Sequence, residues 1–270
     1  MIPITSPQNS RIKHLLKLNN RAYRDEHRQT VVEGVREVSL ALQTGLMPVE
    51  AYICPARLDA AAAPILAQLQ QLAQNGATAL FSLTPELFAK VAYREQSGGL
   101  LLVLPFWSKP LTDLAAATLL IVLEGVEKPG NLGGILRTAD AAGVDGVLVC
   151  GDGTDLYNPN VIRASLGAIF TVPVVAAAVP TLLFWLQQQG FTLIAATPAG
   201  PLAYTDVPMS GPIALLMGSE ADGLSESWLA AASQQVHIPM RGTVDSLNVS
   251  VAAALLLYEA VRQRGVRSKE

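Results

Sequence analysis

The sequence predicts an α/β protein in which a larger C-terminal domain, built on a parallel sheet, follows a smaller α/β unit. Three observations carry this reading. Strand-like and helix-like segments alternate from Thr118 to the C-terminal end, a pattern that implies a parallel sheet covered by helices on both faces. Half of the 270 residues are apolar and only 15% are charged, enough for a sizeable core and unlike a disordered chain. The apolar run 118–123 passes through Glu127-Lys128-Pro129-Gly130 into helical spacing, with Leu132, Ile135, Leu136 and Ala139 on one face. That strand, turn and helix aim a helix start, near Asn131, beyond the strand ends, where open parallel sheets bind ligands.

The chain begins with a basic segment. Lys13, Lys17, Arg21, Arg24 and Arg28 are spaced 4, 4, 3 and 4 apart, so a continuous helix would align them as one stripe. Such a stripe either contacts phosphates or is a solvated face. Asn19-Asn20 is a candidate interruption. A strand at 30–33, an amphipathic segment to Leu42 and short strands at 51–53 and 79–81 follow, the last two flanking a helix near 60–75. Thr84-Pro85-Glu86 reads as a helix start, and a strand at 100–104 closes a first domain over 1–105. The stretch 106–117 opens with a Pro-bounded segment and reads as a linker. In the second domain, 118–270, strands are expected at 118–123, 146–150, 171–174, 191–196, 213–217 and 235–238. A long helix should run from about Leu247 to Arg264, with Val249, Ala252, Ala253, Leu256 and Ala260 as its apolar stripe.

Several function classes are disfavoured. A formal charge of −3 argues against a protein that coats nucleic acid indiscriminately and leaves RNA contact to local patches. Cys54 and Cys150 form neither a disulfide framework nor a metal spacing and fit a reducing cytoplasm. The polar start, 1–10, does not read as a signal peptide. His14, His27 and His237 make no site, and neither a metal cluster nor a Ser/His/Asp set is expected. No charged residue occurs from Ala164 to Thr205. Even so, Pro173, Pro180 and the stretch 187–190 cut that region into pieces too short to cross a membrane, and buried parallel strands give the same composition. Gly151-Asp152-Gly153 follows a strand but lacks the rest of a dinucleotide fingerprint, and reads as a tight turn.

Three ordered stretches carry the functional signal: Glu127 to Gly143, Met217-Gly218-Ser219-Glu220 with Gly223, and Ile238-Pro239-Met240 through Ser246-Leu247-Asn248-Val249-Ser250. Together they resemble the three signatures of the SpoU (TrmH-type) RNA ribose methyltransferases of the SPOUT superfamily. The N-terminal unit, with Glu33-Gly34-Val35-Arg36, is similar to that family's substrate-binding domain, a fold shared with certain RNA-binding ribosomal proteins. The resemblance implies a deep C-terminal trefoil knot, S-adenosylmethionine as cofactor, and a homodimer formed through the knotted domain. It implies methyl transfer to a ribose 2′-hydroxyl of RNA, with 23S ribosomal RNA as substrate because rRNA-directed members carry such an N-terminal domain. Carried over by residue, it gives catalytic roles to Asn131, Arg137, Glu220, Ser246 and Asn248. The adenosine pocket would comprise Thr197, Leu216, Gly218, Ile238, Met240, Leu247 and Asn248, and Arg163 would join the N-terminal cations in RNA contact.

The residues themselves add physical content. Gly218 ends an apolar strand, where a missing side chain lets a ligand approach the backbone. Ile238-Pro239-Met240 offers apolar contacts and free backbone groups. A guanidinium stays protonated, so Arg137 is expected to steady a developing alkoxide and pin the neighbouring phosphate, leaving the proton to phosphate or water. A structural Arg137–Glu220 ion pair is a compatible alternative. Asn131 and Ser246 are also candidate N-caps, whereas Asn248 has less structural reason to be polar. Two other functions stay open: a non-catalytic RNA-binding or ribosome-assembly factor, and a SPOUT methyltransferase acting on a base nitrogen. The intact Asn131, Arg137, Glu220 and Asn248 argue against the first, and the Asn-Leu-Gly-Gly…Arg-Thr-Ala motif against the second. The tail Arg262, Arg264, Arg267 and Lys269 is basic and meets RNA or keeps the terminus solvated.

Overall fold

A computed structural model describes residues 1–93 and 98–265; Arg267 and Lys269 lie outside the described residues. The chain forms two compact units, one of residues 1–107 with 155–171 and the other of 108–154 with the chain from 172 onward.

The first unit begins with β1 (Ile2–Ile4), α1 (Ser10–Lys17), α2 (Arg21–His27), β2 (Gln29–Glu33) and α3 (Val35–Gln43). It continues with β3 (Glu50–Ile53), α4 (Ala63–Gln74), β4 (Ala79–Leu83), α5 (Pro85–Val91) and β5 (Leu100–Pro105). The strands form a mixed sheet in the order β1-β4-β3-β5-β2, with β5 antiparallel to β2 and β3. Ile12, Leu15, Leu18, Tyr52, Phe81, Phe88 and Leu101 pack one core on it.

The basic segment is two helices. Asn20 caps α2 by accepting the Tyr23 N–H, and Arg28, at φ 53°, turns the chain out of the helix and into β2. Lys13, Lys17, Arg21 and Arg28 are exposed, but Arg24 is only 1% exposed. Its guanidinium donates to the carbonyls of Leu18 at 2.8 Å and Asn19 at 3.0 Å and pairs with Asp155. The break between α1 and α2 leaves helix-end carbonyls that need donors, and Arg24 supplies them. The expectation that Arg24 joins an RNA-contacting stripe is therefore corrected.

The second unit opens with β6 (Leu119–Glu124), α6 (Pro129–Ala142) and β7 (Gly146–Cys150). The chain then returns to the first unit as α7 (Pro159–Ala164) and α8 (Ala168–Thr171). There the Thr30 hydroxyl donates to the Tyr157 carbonyl at 2.5 Å, and the Phe106 and Tyr157 rings stack at 3.6 Å. Arg163, half-buried, donates to Asn160 at 2.7 Å. Back in the second unit come β8 (Val174–Ala176), α9 (Val179–Gln188), β9 (Thr192–Ala196), β10 (Leu202–Ala203), β11 (Ile213–Met217), α10 (Glu226–Ala231), β12 (Gln234–His237) and α11 (Val249–Gln263). The strand expected at 171–174 is displaced: Thr171 closes α8, Pro173 has no N–H to offer a ladder, and β8 begins after it.

The seven strands run in the order β10-β12-β9-β11-β6-β7-β8, and every pairing is parallel. Central strands of such a sheet are covered on both faces, so they read as continuous apolar runs; every residue of β7 and β11 is buried. Leu120, Val122, Leu148, Ala214 and Leu216 meet Leu182, Leu186 and Trp228 in one core. On α11, Val249, Ala253, Leu256 and Ala260 are buried, as the stripe predicts, and the helix packs on α6 and β11. Among the described residues, no helix is long and apolar enough to cross a membrane, and no group of three or more metal-ligating side chains occurs.

Candidate active site

The three motif stretches converge at the C-terminal ends of β6, β11 and β12. The first begins α6 at Pro129, which suits the first helical position because its fixed φ is already helical and its missing N–H is not needed there. Lys128 is the N-cap residue and makes no side-chain cap. Asn131 thus sits inside the first turn, and its expected capping role is corrected. Its amide instead donates to Glu220 Oε1 at 2.8 Å.

The second motif leaves β11 through a tight loop. Ser219 and Gly223 exchange backbone hydrogen bonds at 3.1 and 3.2 Å, and a Cβ on Gly218 would lie 2.1 Å from the Gly223 carbonyl carbon. Gly218 is therefore required by the chain's own turn. That turn presents Glu220. Its Oε1 also accepts from the Asn248 amide at 3.0 Å, while the other oxygen is paired with Lys128. The Lys128 hydrogen bond, followed by those from Asn131 and the Val249 N–H, holds the Glu220 carboxyl below the usual glutamate range.

The third motif begins α11. Asn248 is its N-cap: the Asn248 side-chain oxygen accepts the Ser250 N–H at 3.0 Å and the Ser250 hydroxyl at 2.6 Å, and the Asn248 amide also donates to Asn131 Oδ1 at 3.0 Å. This reverses the expected assignment, since Ser246 caps nothing and donates to Asp245 at 3.1 Å. A carboxylate beside the start of a helix is favoured by the free N–H groups and the dipole there, so Glu220 is suited to its place in charge as well as in hydrogen bonding. At Gly134 α6 lies against the start of α11, where a Cβ would meet Ser250 at 3.4 Å, an ordinary packing distance.

Arg137 is exposed on α6, and Glu220 is paired with Lys128 instead of Arg137. The structural ion pair weighed for Arg137 is not formed. Thr197 follows β9 and donates its N–H to the Val236 carbonyl at 2.9 Å. The Leu216 side chain is fully buried in the core, so it offers a ligand only backbone. Ile238 and Met240 are half-buried past the end of β12, and Leu247 is 36% exposed. Sequence reasoning gave no role to Lys128 or Ser250, though both stand inside the motifs; Lys128 meets Glu220, 92 positions on, whereas Ser250 binds Asn248 within the same helix start.

A parallel sheet whose strand-end loops gather an amide–carboxylate network, at the start of the helix that also carries the exposed Arg137, is the arrangement of a ligand-binding α/β fold. The chain belongs to the SpoU rRNA methylase family, whose model matches residues 118–258; the MRM3-like substrate binding domain matches residues 9–102. It is 30% identical over 265 residues to the 23S rRNA (guanosine(2553)-2′-O)-methyltransferase RlmP of Bacillus subtilis, covering 96% of this chain and 98% of that one. A crystal structure of an RNA 2′-O ribose methyltransferase matches with TM-score 0.80 and 40% identity, covering 98% of this chain and all of the other. The AdoMet-bound rRNA methyltransferase from Sinorhizobium meliloti matches with TM-score 0.88 and 28% identity, covering 98% of both chains.

Proposed function

We propose that this protein transfers a methyl group from S-adenosylmethionine to a ribose 2′-hydroxyl of RNA, with 23S ribosomal RNA in the cytoplasm as its substrate. The observation that carries the reading is the Asn131–Glu220–Asn248 network, which ties the three family motifs together at the start of α6, the helix on which Arg137 is exposed.

The residues present fit the cofactor. The partly exposed apolar side chains of Ile238, Met240 and Leu247 suit an adenosine face, and Thr197, Gly218 and the Leu216 backbone stand at neighbouring strand ends. When bound, S-adenosylmethionine supplies an electrophilic methyl group. The chain's own contribution is to place the ribose and steady its oxygen as the hydroxyl proton departs to phosphate or water. Arg137, always charged, stabilises that developing charge and grips the adjacent phosphate. The Asn131–Glu220–Asn248 network holds the helix starts that frame the site, and fixed donors need no reorganisation during reaction. Ser246, exposed one turn before α11, would contact the substrate. RNA would also be held by Lys13, Lys17, Arg21 and Arg28, all exposed on the first unit, and by Arg163.

The same reading includes a trefoil knot and a homodimer. In support of the knot, the chain leaves β12, beyond β9 in the sheet, yet α11 returns to pack against β11 and α6. In support of the dimer, α11 carries an outward apolar face of Val251, Leu255 and Tyr258, exposed by 37–50%. With Tyr204, Ala254 and Glu259 that face lines a groove of about 440 Å³. Leu255→Asp should convert the dimer to monomers at micromolar concentration, read by light scattering, because an unpaired charge in an apolar contact is costly to desolvate. An unchanged dimeric mass would place the interface elsewhere.

The test of function is incubation with methyl-labelled S-adenosylmethionine and protein-free 23S RNA, then digestion and mapping of the label. Label on a ribose is the expected result. Label on a base would overturn the ribose assignment. Absence of both label and cofactor binding would favour a non-catalytic RNA-binding factor.

A further inference from the structure

Lys128 stands apart from the other partners of Glu220. Asn131 and Asn248 are fixed within the starts of α6 and α11, and each is held by further hydrogen bonds of the same network. Lys128 sits one residue outside α6, its side chain is 73% exposed, and it caps nothing. Among the described residues it is the one cation paired with Glu220, whose other donors are neutral amides and a backbone N–H. The network therefore holds one negative and one positive charge. Without Lys128 it would present a bare carboxylate, carried on the loop after β11, to any polyanion approaching Arg137.

We infer that Lys128 is a substrate-positioning residue: by neutralising Glu220 it lets an RNA phosphate settle beside Arg137, and it takes no part in the chemical step. The inference rests on the methyltransferase reading for the identity of the substrate. Two like charges roughly 6 Å apart in a water-like medium repel enough to weaken binding about threefold, and salt screens the effect over about 10 Å. The Glu220 carboxyl is held low first by the Lys128 hydrogen bond. Removing Lys128 raises the carboxyl pKa toward its unperturbed value, so any acid limb of activity governed by Glu220 should move to higher pH.

The experiment measures binding and turnover separately. A fluorescent 23S RNA fragment is titrated with the wild type, Lys128→Ala, Lys128→Arg and the double variant Lys128→Ala/Glu220→Gln, at low and high salt. Methyl transfer is followed in parallel. Lys128→Ala is expected to weaken RNA binding about threefold at low salt, with the loss fading at high salt. In the transfer assay, KM for RNA should rise while kcat and cofactor affinity hold. Lys128→Arg should bind as the wild type does. The double variant should recover RNA binding relative to Lys128→Ala, because the charge that repels the phosphate has gone.

Failure of the double variant to recover binding would overturn the inference and make Lys128 a direct phosphate contact. So would a loss in kcat with KM unchanged, or RNA binding by Lys128→Ala equal to the wild type at low salt. If the wild type binds RNA but transfers no methyl group, the functional reading fails while the binding titrations still decide the role of Lys128.

Discussion

Arg137→Ala should lower the rate of methyl transfer by about 10²–10³-fold, the loss typical of removing one preorganised donor from a developing oxyanion, while leaving the fold intact. The position is exposed on α6, and alanine is the best helix former, so the substitution removes the guanidinium and little else. Glu220 keeps Lys128, Asn131 and Asn248, so the network persists and S-adenosylmethionine affinity should stay within about twofold, a change below 1 kcal/mol. Single-turnover transfer to saturating RNA reads the chemical step directly. Arg137→Lys should fall between the two, since it retains a charge but loses the bidentate fork. A variant that keeps more than about a tenth of wild-type turnover would show that Arg137 supplies less than 1.4 kcal/mol to the transition state, too little for the role assigned to it.

The contrast between Arg137 and the other arginines shows where sequence reading holds and where it stops. Periodicity located the strands and α11 because burial imposes it: β7 and β11 fall on the expected residues, and the α11 stripe is the buried face. Capping was not legible in the same way. The helix start at α6 is set by Pro129, two residues before Asn131, and the residue before a proline is driven to extended backbone; Lys128 has ψ 120°. Asn131 was thus freed for Glu220. At α11 the choice between Ser246 and Asn248 depended on where the chain turns, which no local pattern records. At Gly218 the turn adds a requirement that no local pattern records, because the Cβ position is filled by the backbone of Gly223. The Lys128–Glu220 and Asn131–Asn248 contacts join residues about a hundred positions apart, so only the folded chain reveals them.

Arg24 is the case in which composition pointed away from the structure, and it carries the largest stability prediction. Arg24→Ala should destabilise the first unit by about 3–5 kcal/mol, the cost of removing one partner from a buried ion pair. The guanidinium is 1% exposed and Asp155 only 12%, so solvent screens the pair little, unlike a surface pair worth under about 1 kcal/mol. The variant would leave the Asp155 carboxylate and the Leu18 and Asn19 carbonyls without this donor, and unsatisfied buried groups account for much of the penalty. Arg24→Met retains volume but not the donors, so it should recover only the packing part of the loss. Asp155→Asn, which keeps an acceptor oxygen for the guanidinium, should cost less than Arg24→Ala. Hydrogen exchange of the α2 and β2 amides, with urea titration, reads the effect where it arises, and cofactor affinity of the second unit serves as the unaffected control. A loss under 1 kcal/mol would mean that Arg24 behaves as a solvated cation and returns it to the group of possible RNA contacts with Lys13, Lys17, Arg21 and Arg28.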